Sequence, residues 1–258
     1  MDDNKEIVAS QFGKNAGKYV ASKGHAKGKD LDILWEIVQE NKNKCLLDVA
    51  TGGGHVANKL APLFENVIAF DLLPEMLEKA KDFIRKNGHE NVSFVQGDAQ
   101  ALPFLDQTFD TVTCRIAPHH FPKVEDFVRE AGRVLKKGGL FLLVDNVAAE
   151  LDEYDQFYND IEKKRDPSHY RAHKKTEWIL LVEKNGFRIE SFLVFKKKFL
   201  FDGWCEMMGL SESDKLKLNE YMGSAPKDVI EFFSIDMEGG QVRSFQGETM
   251  LLAARKEK

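Results

Sequence analysis

The chain has 258 residues, 43% hydrophobic and 31% charged, with a formal net charge of -5 at pH 7. That size suits one domain with elaborations, and the balance leaves no general basic field to hold nucleic acid. The three cysteines, Cys45, Cys114 and Cys205, form no C-x-x-C pair, so neither a disulfide framework nor a zinc site is indicated.

The start, MDDNKEIVAS, is acidic and lacks the basic and apolar parts of a signal peptide. No apolar run is long enough to span a bilayer, so a cytoplasmic protein is expected. The periodicity of VASQFGKNAGKY predicts a helical lead-in over the first ~28 residues. A buried strand follows in KCLLDVA, then a glycine cluster in TGGG. NVIAFD, VSFVQGD, FDTVTCR and LFLLVD predict four further strands. Helical patterns separate them. In PEMLEKAKDFIRKNG, Pro74 suits a helix start and Gly88 a stop. In VEDFVREAGRVLKKGG, Val124, Phe127, Val128, Ala131, Val134 and Leu135 share one face. Strand, helix and strand in alternation predict right-handed βαβ units and a parallel sheet.

After Asp145 the rhythm changes. Residues 148–165 predict a charged helix carrying Tyr154, Phe157 and Tyr158, and KKTEWILLVEKNGF another. RIESFLVFKKKFLF and ETMLLAAR predict a sixth and a seventh strand, with a long helical insertion over 202–246 between them.

Gly52, Gly54 and Ala57 fit G-x-G-x-x-[G/A], with Asp71 about 20 residues on, which admits a dinucleotide. Tyr19 and Lys23 have the Y-x-x-x-K spacing of short-chain dehydrogenases, but precede the glycine loop instead of following it. His55 stands where a Walker loop needs its lysine, so that loop is excluded. The charges favour another ligand. Asp48 sits just before the glycines, Asp71 ends the second strand and Asp98 the third. Parallel strand ends collect at one edge, so three carboxylates converge with a glycine loop. Such a site opposes a pyrophosphate and suits an amine, a sugar diol and an adenine amino group.

The stretches LLDVATGGG, AFDLLPEML, GDAQALPF, FDTVTCRIAPHHF and VLKKGGLFLLVD, in this order over Leu46 to Asp145, resemble the motifs of class I S-adenosylmethionine-dependent methyltransferases. Ala50 replaces the commoner first glycine. GDAQALPF and the HHF after the fourth strand most resemble the ubiquinone and menaquinone biosynthesis methyltransferases. The resemblance implies an α/β Rossmann-like, doubly wound sheet of seven strands, mostly parallel with the last antiparallel, and an added helical lid. It implies one domain: a lead-in or lid over 1–28, a cofactor-binding core over 29–147 and an acceptor half over 148–258.

The cofactor implied is S-adenosyl-L-methionine, with no metal. Asp71 would accept from the ribose hydroxyls, Asp98 from the adenine amino group, and the Ala99 N–H would donate to the ring. Leu72 and Met76 would pack on the adenine. The backbone of Ala50, Thr51, Gly52 and Gly54 would approach the methionyl part, with Asp48 anchoring the loop or the amine. Arg115 would contact the same region, and Tyr19 and Lys23 of the lead-in would cover it.

His119 and His120 are the catalytic candidates, because histidine can take a proton near neutral pH. Alternatively, they orient the loop. His25, His120, Tyr170, Arg171 and Trp204 are candidates for acceptor binding. The acceptor expected is a small molecule, quinone-like or otherwise apolar or aromatic, and not a nucleic acid. Arg115-Ile116-Ala117-Pro118 lacks the Asn/Asp-Pro-Pro-Tyr type of many amide and base N-methylating enzymes. The rival readings are an NAD-dependent oxidoreductase and a cofactor-binding protein without turnover. The sequence leaves open whether the protein is a monomer or a homodimer.

Overall fold

The computed structural model describes residues 6–11, 28–41 and 44–257. The apolar run CLLDV forms β1 (Cys45–Val49), with all but its first residue buried. It pairs in parallel with β2 (Asn66–Asp71) on one side and β4 (Phe109–Arg115) on the other. Beyond these lie β3 (Val92–Gln96) and β5 (Leu135–Val147), both parallel to their neighbours. β6 (Phe187–Leu200) and β8 (Gln241–Lys256) complete the order β3-β2-β1-β4-β5-β8-β6. β8 runs antiparallel to both β5 and β6. From β1 the chain winds outward to β2 and β3, then returns to the other side of β1 for β4. The strand order therefore reverses between β1 and β4, and their carboxyl ends frame a crevice.

The strands alternate between two cores. Leu46, Leu140, Leu142 and Val144 pack with Leu34, Leu60 and Ile84 on one face. Leu47, Phe141 and Leu143 pack with Phe127, Trp178 and Phe187 on the other. This is the two-residue period of a sheet covered on both sides. The helix Pro74–Lys86 begins on its proline, and Gly88, at φ 86°, ends it. Helices Lys29–Gln39, His55–Leu60, Val124–Val134 and Lys175–Lys184 also cover the sheet.

The predicted insertion is only partly helical. Its helices are Phe201–Met208, Glu212–Gly223 and Lys227–Phe232. The chain then forms a short strand, β7 (Asp236–Glu238), and enters β8 at Gln241. β7 pairs with β8 across the turn at Gly239 and Gly240, both at positive φ. These two glycines are the hairpin signal that a helical reading of the segment passes over. A third core, with Tyr158, Trp204, Phe233 and Phe245, joins these helices to the helix Asp152–Arg165. Among the described residues no helix is long and apolar enough to cross a membrane.

Gly97 follows β3, and a Cβ there would lie 2.6 Å from the buried Phe70 ring. Gly97→Ala should therefore destabilise the protein by about 1–3 kcal/mol in denaturant melts, since the buried ring must shift to admit the methyl group.

Candidate functional site

The crevice at the ends of β1 and β4 opens into a cavity that is continuous with solvent. Its walls are the loop after β1, the end of β2 and the Gly97–Gln100 turn, closed by residues 115–117 and His120–Pro122.

Asp48 holds the loop. Thr51 Oγ1 donates to its Oδ2 at 2.6 Å, Thr113 Oγ1 to its Oδ1 at 2.8 Å and the Ala57 N–H to Oδ2 at 3.2 Å. One buried carboxylate thus ties β1 to the loop, to β4 and to the helix His55–Leu60. The loop turns through Ala50, Gly52 and Gly54, at φ 52°, 53° and 79°. A Cβ on Gly54 would lie 2.9 Å from Ile84 and 3.0 Å from Ala80, so the helix Pro74–Lys86 packs on bare backbone. Ala50 adopts the left-handed conformation that glycine takes most readily. Ile116, at φ 53°, does the same at the end of β4. Two such non-glycine residues beside one cavity mark a backbone held for a purpose.

Asp71 is set differently. Its Oδ2 accepts from the Gly52 N–H at 2.8 Å and its Oδ1 from the Leu73 N–H at 3.0 Å. Burial pushes its carboxyl up against those hydrogen bonds. Asp98 Oδ1 accepts from the Gln100 backbone N–H at 2.9 Å. Leu73 and Met76 pack with Leu72 and Ala9 in a small apolar cluster at the same wall. The Arg115 guanidinium forms a close ion pair with Asp30, pinning the helix Lys29–Gln39 to β4.

Asp48, Ala50, Thr51, Gly52, Asp71, Leu72, Met76, Asp98, Ala99 and Arg115 all line the cavity, as does His120. Gly54 lies behind the loop. His119 does not face the cavity: it is buried, and its Nδ1 donates to Asp145 Oδ1 at 2.6 Å. Tyr170 is 52% exposed. Arg171 pairs with Asp155 and Glu177, and Trp204 is buried in the third core beneath the Arg165 guanidinium. None of these three lines the cavity. Tyr19, Lys23 and His25 lie outside the described residues. The sequence reading missed Phe121, Ile116 and Ala117 as cavity wall. It also missed the Asp30–Arg115 and Asp145–His119 pairs, which join residues 85 and 26 positions apart.

A family profile described as "Methyltransferase domain" matches residues 47–143. The chain is 35% identical over 246 residues to the uncharacterized methyltransferase YcgJ of Bacillus subtilis (strain 168), covering 95% of this chain and 97% of that one. This chain belongs to the S-adenosylmethionine-dependent methyltransferases. Within that family, a solved structure from Bacillus halodurans C-125, assigned as a methyltransferase, is 49% identical. It covers 90% of this chain and 100% of its own, with a TM-score of 0.88. The ubiquinone/menaquinone biosynthesis C-methyltransferase UbiE of Brucella canis is 27% identical over 236 residues, or 79% of this chain and 88% of that one. The fold common to these methyltransferases accounts for the parallel sheet and its antiparallel last strand. The cofactor is S-adenosylmethionine.

Burial pushes the Asp48 carboxyl up to about 6, against the hydrogen bonds from Thr51, Thr113 and Ala57. An acid whose folded value lies above its ordinary 3.8 costs stability as pH rises. Between about pH 4 and 6 the unfolded chain ionises at Asp48 while the folded ligand-free chain resists. The stability of Asp48→Asn relative to wild type should therefore rise over that window, by an amount on the order of 3 kcal/mol. Urea melts at a series of pH values measure it. A difference that stays constant with pH would mean that the folded protein ionises Asp48 without cost.

Proposed function

We propose that the cavity binds S-adenosylmethionine along the β1, β2 and β3 ends, and that the methyl group goes to a small apolar or aromatic acceptor seated beside His120. One observation carries the cofactor reading. Asp71 lines the cavity and accepts from the Gly52 and Leu73 N–H groups, at 2.8 and 3.0 Å, with the Leu72 N–H also against it, and a carboxylate has about four acceptor sites. Acceptor capacity thus remains on the carboxylate, which suits the hydroxyls of a ribose. Asp98 and the Ala99 N–H suit an adenine edge, and Leu72 and Met76 its faces. The backbone from Ala50 to Gly54 suits the methionyl part, with Asp48 as the anchor of that loop.

Charge supports the same reading. Asp48 and Asp71 are buried and pushed up, so a ligand that brings a sulfonium and an ammonium offsets the cost of ionising them. A dinucleotide pyrophosphate would raise that cost, and this is the main argument against an oxidoreductase.

S-adenosylmethionine held there would supply an electrophilic methyl group, with its sulfur as the leaving atom. The protein aligns the partners and excludes water, which is the larger part of what such a displacement needs. Phe121, Pro122, Ile116 and Ala117 make the wall beside His120 apolar. That wall, together with the likeness to a quinone-modifying C-methyltransferase, supports a quinol-like or other aromatic acceptor. The lead-in supports a lid: Gln11 Nε2 donates to the Met208 carbonyl at 2.9 Å, joining segment 6–11 to the helix Phe201–Met208. Val8 of that segment lines the cavity.

Calorimetry with S-adenosylhomocysteine tests the cofactor reading. Binding should be micromolar, about -8 kcal/mol, with none detectable for NADH. Asp71→Ala should lose about 2 kcal/mol or more, as two ligand hydroxyls lose their acceptor. An unchanged affinity would reduce Asp71 to a structural cap for Gly52 and Leu73.

A further inference from the structure

Among the described residues, three carboxylates line the cavity, Asp48, Asp71 and Asp98, and one guanidinium lines it with them, that of Arg115. A cation in that wall opposes a ligand that carries a sulfonium and an ammonium. Its place is set by strand register. Val49 pairs with Cys114, so Arg115 is the next residue out on β4, beside Ala50 and the glycine loop. It stands two residues beyond Thr113, which donates to Asp48, and so belongs to the same face of the sheet as Asp48. The charge therefore lies beside the loop that suits the methionyl part.

Asp30, from the first turn of the helix Lys29–Gln39, meets this guanidinium. Arg115 Nε donates closely to Asp30 Oδ2, and Nη2 donates to Asp30 Oδ1 at 3.2 Å. The two-point contact fixes the plane of the guanidinium. The side chains are 9% and 14% exposed, so water and salt screen the pair little. Gly28 makes room for it. A Cβ there would lie 2.0 Å from Asp30 Oδ1 and 2.9 Å from Arg115 Nη2. The carboxylate thus folds back over bare backbone, where the Leu31 N–H also donates to the Gly28 carbonyl at 3.0 Å.

We propose that Asp30 acts through Arg115 as a positioning residue that sets cofactor preference: by neutralising the guanidinium at the wall, it keeps the cavity selective for the cationic sulfonium of S-adenosylmethionine over the neutral sulfur of S-adenosylhomocysteine. This rests on the reading that the cavity binds the cofactor. Asp30 need not touch the ligand. Unit charges about 8–10 Å apart in a partly dry wall interact by a few times the thermal energy. The sulfur is cationic before methyl transfer and neutral after it, so the balance that holds the donor also eases release of the spent cofactor.

The surroundings make this carboxylate matter more. Burial pushes the Lys197 ammonium of β6 down, Arg115 and Arg165 add to that, and Glu162 and Asp30 oppose it. Glu162 is matched by Arg165, at 2.7 Å. Asp30 therefore offsets two neighbouring cations, Arg115 and Lys197.

Calorimetry on the full chain, with both ligands at one ionic strength, tests this. The quantity read is the Kd for S-adenosylhomocysteine divided by that for S-adenosylmethionine, in which contacts common to the two ligands cancel. Asp30→Asn keeps the shape and removes the charge. It should lower the ratio about fivefold or more relative to wild type. Arg115→Gln should raise the ratio, and the double variant should return it toward the wild-type value. An unchanged ratio in Asp30→Asn, with both ligands weakened alike, would reduce the pair to a structural tie and overturn the proposal. If Asp30→Asn does not fold, Arg115→Gln decides, and a ratio that stays level or falls there overturns the proposal as well. Failure of the cofactor reading looks different, because neither ligand then binds the wild-type chain.

Discussion

Everything at the site depends on where the Asp48 carboxylate sits. It is 1% exposed, in the middle of an apolar strand, and accepts from two threonine hydroxyls and one backbone N–H. An unpaired carboxylate at that depth would cost several kcal/mol. Three donors from three elements reduce the cost and in return fix those elements. Thr51 sets the loop, Thr113 sets β4, and Ala57 sets the first turn of the following helix. The left-handed Ala50 and the close approach of Gly54 to Ala80 then follow from a loop with no slack. The cavity is open because backbone, not side chains, lines this corner.

The same device recurs two strands over. Asp145, at the end of β5, is also 1% exposed and also gathers backbone and side-chain donors. The two aspartates serve opposite ends of the cavity. Asp48 shapes the part that suits the cofactor's methionyl group. Asp145, through His119, shapes the part beside His120. Cys114 lies on the strand between them, and burial and both carboxylates keep its thiol well up, so it is an inert filler.

The parallel sheet was legible because fully buried strands such as CLLDV and LFLLV are short apolar runs bounded by turn residues. Pro74 and Gly88 marked their helix because each suits one end of a helix and not its middle. The strand-end aspartates were legible because topology alone gathers strand ends. What sequence spacing does not carry is pairing across the sheet. Asp30 meets Arg115, and Asp145 meets His119, only because β1, β4 and β5 are neighbours. Arg171 and Trp204 looked like acceptor residues by chemical type. The structure pairs Arg171 with Asp155 and Glu177, and packs Trp204 against Phe245 and Arg165. The β7–β8 hairpin was passed over because its first strand, Asp236–Glu238, is only three residues long and exposed throughout, with no apolar alternation to mark it.

The central claim is methyl transfer to a small molecule at the His120 end of a cavity whose cofactor is held by Asp71. The most direct measurement incubates the full chain with S-adenosylmethionine labelled in the methyl group and a protein-free extract of small metabolites, then locates the label by mass. The account predicts label in an aromatic or otherwise apolar species of low mass, with incorporation lost in Asp71→Ala. Label found only in added protein or nucleic acid, or no label from a chain that binds the cofactor, would contradict it.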